Sequence, residues 1–173
     1  MSIQSFARNL GQRWYLGRAH QKATLFSLHE QLLKTRTALI LLPDEAAEYN
    51  QTLQNLAEVE SLFAKAKVTM VRKKSLPAPT VNSQTWDEND LGYWGLPSRA
   101  CKNRLLAGDY DLVIDLGLTF STFNALLAHC SSAPLKVCFA HPQREAIYNV
   151  ILQVSEPSNW RKALAVLKKF IRL

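Results

Sequence analysis

The sequence predicts an α/β fold: a mainly parallel sheet with helices on both faces, preceded by a basic helical segment. Three observations carry this reading. Short apolar runs such as "ALILL", "DLVIDL" and "LKVCF" suit strands buried on both faces and fall far below the length of a membrane span. Between them lie stretches whose apolar residues recur at helical spacing. Strands separated by helices imply crossover connections, and so parallel neighbours. The 173 residues suffice for one domain with an adequate core, and the 47 % apolar and 20 % charged content is that of an ordinary globular chain.

The elements follow in order. Residues 1–36 read as a basic helical extension and 37–173 as a single α/β domain. Ile3, Phe6, Leu10 and Trp14 predict a helix over residues 2–16, weakened by Gly11 and Gly17. Leu25, Leu28, Leu32 and Leu33 predict another over 22–35. "TALILLP" is a strand ended by Pro43. Asp44 is placed to cap the next helix, with Glu45 and Glu48 near its positive end and Leu53, Leu56, Val59 and Phe63 on one face as far as Ala66. "KVTMVRK" is the second strand.

"KSLPAPTVNSQTWDENDLGYWGLP" reads as one long irregular stretch, since its prolines oppose regular structure. Trp86, Tyr93 and Trp94 within it are expected to plug one end of the core, with ligand stacking as the alternative. A helix over 98–107 leads to the strand "YDLVIDL"; "STFNALLAHCS" is a short helix and "LKVCFA" a fourth strand. "AIYNVILQV" is a fifth strand, close enough in sequence to its predecessor to pair antiparallel at an edge. Ser158 is placed to cap a last helix over 159–172. Leu39, Leu41, Val113 and Leu116 are expected in the core.

Charge is unevenly spread over the net +7. Residues 1–36 hold six Lys and Arg against one Glu, residues 157–173 hold five against none, and the middle is net −3. Basic ends on a mildly acidic body point to an anionic partner, RNA or an anionic membrane surface. In "NWRKALAVLKKFIRL", Trp160, Leu164, Leu167 and Ile171 fall on one helical face and Arg161, Lys162, Lys168, Lys169 and Arg172 on the other. Arg8, Arg13 and Arg18 repeat the theme in the first segment. That segment resembles a transit peptide in composition but also reads as an ordinary basic helix. With no secretory signal and an odd number of cysteines (Cys101, Cys130 and Cys138), reduced thiols and a cytoplasmic location are expected.

Ligands of open α/β sheets bind beyond the carboxyl ends of the strands. Asp44, Glu45, Asp115, Thr119 and Ser121 fall there and are the candidate ligand-binding residues. The alternative is that Thr119 or Ser121 caps a helix and Asp115 bonds neighbouring backbone. Neither G-x-G-x-x-G nor G-x-x-x-x-G-K-[ST] occurs, so no nucleotide cofactor is expected. His129, Cys130, Cys138 and His141 match no metal-ligand spacing, and no metal is expected. There is no G-x-S-x-G elbow for serine catalysis.

From Asp109 to Val150 the chain resembles the N-terminal, Rossmann-like half of heptosyltransferase-type (GT-B) glycosyltransferases. The resemblance lies in "YDLVIDL", a helix with "ALLA", the strand "LKVCFA" and Arg144-Glu145 followed by Tyr148-Asn149. Over a longer span, including "WGLP" at 94–97, it resembles a short, uncharacterised bacterial domain family with a basic start. The transferase resemblance implies a Gly-Asp motif after the first strand and a second Rossmann-like domain for the sugar nucleotide. Here the first position reads Pro43-Asp44-Glu45, and the chain ends before a second domain would start. The expectation is therefore a non-catalytic interaction module of glycosyltransferase-like fold whose basic ends bind an anionic partner. The alternative is an enzyme or enzyme subunit using the crevice near Asp44 and Asp115, its cleft completed by a protein partner.

Overall fold

A computed structural model describes residues 27–79, 83–156 and 159–172. The helix expected over 2–16, Arg8, Arg13, Arg18 and Ser158 lie outside the described residues. Helix α1 (Leu28–Lys34), with Ser27 as its N-cap, precedes strand β1 (Thr37–Leu41). Helices α2 (Ala46–Gln54) and α3 (Leu56–Leu62) follow, and β2 spans Lys67–Lys73. One helix over 44–66 was expected; the chain breaks it at Asn55, which ends α2 and starts α3.

The stretch read as irregular contains a strand, β3 (Ser83–Trp86), and a capped 3₁₀ turn at Glu88–Asp90. The prolines lie on either side of β3, so they interrupt no ladder hydrogen bond within it. Helix α4 (Arg99–Leu105), β4 (Leu112–Asp115), α5 (Thr122–Cys130) and β5 (Leu135–Phe139) come next. A 3₁₀ turn at Pro142–Arg144, β6 (Val150–Leu152) and α6 (Trp160–Ile171) complete the order.

The six strands form one sheet in the order β3-β2-β1-β4-β5-β6. Every neighbouring pair is parallel, including β5 and β6, where an antiparallel edge was expected. Residues 140–149 carry the chain back to the start of β5, where the Asn149 amide donates to the Lys136 carbonyl and its side chain accepts from the Lys136 amide at 2.8 Å. This return makes the pairing parallel.

Period-2 alternation sends side chains to both faces. Ala38 and Ile40 of β1, with Ile114 and Val137, meet Tyr49, Val59, Trp160, Leu164 and Leu167 on one face. Leu39, Leu41 and Val113 meet Cys101, Leu105, Phe123 and Leu127 on the other. Leu39, Leu41, Val113 and Leu116 are fully buried, as the sequence predicts. Trp86 does plug the core, stacked on Phe123 with ring centroids 3.8 Å apart. Tyr93 and Trp94 do not: they are 64 % and 51 % exposed. The turn that carries them needs Gly95 at φ 70 and closes through a bridge between Leu91 and Pro97, which holds both rings outside the sheet.

Candidate functional site at the strand ends

The strand order reverses between β1 and β4, so the crevice at their carboxyl ends is where an open α/β sheet takes a ligand. All five candidates from the sequence lie there, on the segments that leave β1 and β4. What surrounds them is the protein itself.

Asp115, the last residue of β4, is fully buried. Its Oδ1 accepts from the Gly117 amide at 3.0 Å and from Asn124 Nδ2 at 3.2 Å. Its Oδ2 accepts from the Tyr148 hydroxyl at 2.9 Å and lies 3.5 Å from Arg144 Nη2. Arg144, also fully buried, donates to the carbonyls of Gly117 (2.6 Å), Phe139 (3.0 Å) and Thr119. Burial works against the Arg144 charge, but Asp115, with Tyr148, Cys138 and Glu48, more than offsets this and its pKa is raised. Burial pushes the Tyr148 hydroxyl well above its usual value, and Asp115 adds to the shift.

Asp44 does not cap α2, whose N-cap is Glu45. Its carboxylate instead accepts from the Ser121 hydroxyl at 2.7 Å, and that oxygen in turn accepts from the Asn124 amide and caps α5. Asp44 thus ties the exit of β1 to the start of α5. Glu45 is exposed and makes no side-chain capping bond. The Thr119 hydroxyl donates to Glu48 Oε2 at 2.6 Å, and the amides of Leu118 and Thr119 also point at the Glu48 carboxylate.

The sequence reading missed four residues that organise this site. Glu48 was placed only as a charge near a helix start. Arg144 and Tyr148 were seen only as part of a resemblance, and Asn124 was not singled out. Buried polar residues of this kind carry no periodic signal, because hydropathy assigns Glu, Arg and Asn to water.

The remaining chemistry is quiet. Burial pushes the Cys101 thiol up to about 11, with Asp90 adding, and the Cys138 thiol up to about 12. Neither forms a thiolate readily at neutral pH. Among the described residues no three His, Cys, Asp or Glu side chains are grouped to hold a metal, and no helix is long and apolar enough to cross a membrane.

The second candidate surface is α6. Trp160, Ala163, Leu164, Leu167 and Phe170 are buried, and the cations lie opposite. Lys162 pairs with Glu156 and Lys168 with Glu58. Arg161, Lys169 and Arg172 are exposed, with no carboxylate in ion-pair range among the described residues.

Sheet order and switch point define a Rossmann-like α/β domain. A glycosyl transferase of family 9 from Veillonella parvula is similar in structure, with a TM-score of 0.54 and 15 % identity. The match covers 79 % of this chain and 41 % of that one, so this chain spans less than half of the transferase, and the likeness is one of fold. No curated protein matches the sequence. The chain belongs to DUF6913, a family of unknown function, whose model matches residues 12–173.

Proposed function

We propose that this protein is a non-catalytic interaction module of glycosyltransferase-like fold that binds the phosphates of an anionic partner, RNA, through the outward face of α6. The observation that carries the reading is the trio Arg161, Lys169 and Arg172, exposed along one side of a helix whose other side is anchored in the core. Cations held on a rigid element suit phosphate contacts that position a backbone without reading bases. The apolar stripe of α6 is consumed by packing, so this helix has no free apolar face to bury in a bilayer. The strand-end carboxylates support the non-catalytic part: Asp115 is buried with both oxygens engaged, and Asp44 holds Ser121.

The test compares the full chain with an Arg161→Gln, Lys169→Gln, Arg172→Gln variant, using a labelled single-stranded RNA and phosphatidylserine vesicles. The reading predicts RNA binding that the variant weakens at least tenfold. Binding to vesicles alone would replace RNA by a membrane surface, and equal RNA binding by the two proteins would overturn the reading.

A further inference from the structure

The Glu48 carboxylate occupies an unusual place for a side chain. It is 8 % exposed and reaches from α2 to the loop leaving β4. There it receives two consecutive backbone amides, those of Leu118 and Thr119, together with the Thr119 hydroxyl. Consecutive amides converging on one point make an anion-binding concavity. The loop curls tightly enough that a Cβ on Gly117 would lie 3.1 Å from the Thr119 carbonyl oxygen and 3.3 Å from Arg144 Nη2. The Arg144 guanidinium lies behind the loop, and its buried Nε has no hydrogen-bond partner among the described residues. Two amides and a hydroxyl therefore converge on the Glu48 carboxylate at the switch point of the sheet, while Arg144, paired with Asp115, braces the loop from behind through the Gly117 and Thr119 carbonyls.

We propose that the Leu118–Thr119 loop is an oxyanion cradle and that Glu48 is its resident occupant, holding the crevice shut against small carboxylates and phosphates. The ligand class follows from the donors: two amides and a hydroxyl match two oxygens of a carboxylate or phosphate. The inference goes beyond the reading of α6 and does not depend on it.

The experiment is chemical rescue of the full-length Glu48→Ala protein. Removing the carboxylate leaves the amides and hydroxyl unpaired and lowers Tm by about 4–8 °C in a domain of this size. Formate, acetate and inorganic phosphate are titrated at constant ionic strength against chloride. The expected result is a saturable rise in the Tm of the alanine variant with the oxyanions, none with chloride, and none of either in the wild type. A Glu48→Gln protein, whose side chain still fills the cradle, should lose stability and gain no response. If the alanine variant is unfolded in plain buffer, the same titration reads refolding by circular dichroism. No saturable oxyanion response in either format overturns the proposal, and so does an equal response in the wild type.

Discussion

Asp115 and Arg144 face each other with no solvent around either side chain, and each is held by further groups: Asp115 by Gly117, Asn124 and Tyr148, Arg144 by three carbonyls. Removing one partner of such a pair leaves an uncompensated buried charge. Asp115→Ala should therefore cost about 3–5 kcal/mol in urea unfolding. A loss below 1 kcal/mol would mean that the pair is not buried as described. The cysteines make a second case at this scale. With the thiols of Cys101 and Cys138 pushed up to about 11 and about 12 and both side chains buried, a thiol reagent at neutral pH should modify Cys130 alone in the native protein and all three in denaturant. Rapid reaction of a second thiol would contradict the packing of β5 or α4.

The elements were legible where periodicity is strong. "KVTMVRK" forms β2 over those very residues, and α6 keeps the face split seen in its sequence. β3 was hidden because four residues between proline-containing segments give too short a pattern, and its strand character comes from pairing with β2. The parallel pairing of β6 was hidden because sequence proximity does not reveal where a chain crosses. In the site, Asp115, Thr119 and Ser121 were legible from their place after an apolar run, whereas Glu48 reaches partners 70 and 71 residues away and Arg144 bonds carbonyls 25 and 27 residues away besides the nearby Phe139. At this scale Leu116→Ala should cost about 2–5 kcal/mol, as truncation of a fully buried leucine does. The start of β1 gives a pH prediction. Burial pushes the Asp111 carboxyl up, but the amides of Arg36 and Thr37 and the Thr37 hydroxyl more than offset this and hold it below its usual value. A carboxyl depressed in the folded state stabilises above its unfolded pKa of about 4 and loses that contribution as pH falls through the folded value. Asp111→Asn should lower Tm at neutral pH and flatten the acid limb below about pH 4; an unchanged acid limb would assign that limb to other carboxylates.

The whole molecule presents a ligand-type crevice filled by its own side chains and a basic helix turned outward. The first half of this contrast predicts that the purified chain turns over no nucleotide sugar, and that Asp44→Ala acts on stability through the lost Ser121 bond rather than on a reaction. Turnover abolished by Asp44→Ala would reverse that. The second half is measured by the salt dependence of RNA binding. Each phosphate contact on a single strand contributes about 0.7 to the slope of log K against log salt, so neutralising three contacting cations should flatten it by about 2. The decisive measurement is this slope for the full chain and for the protein carrying Arg161→Gln, Lys169→Gln and Arg172→Gln, with both shown to be folded by circular dichroism. The account predicts a steep slope for the wild type and one shallower by about 2 for the variant. Identical slopes would contradict it and leave α6 a solvated surface.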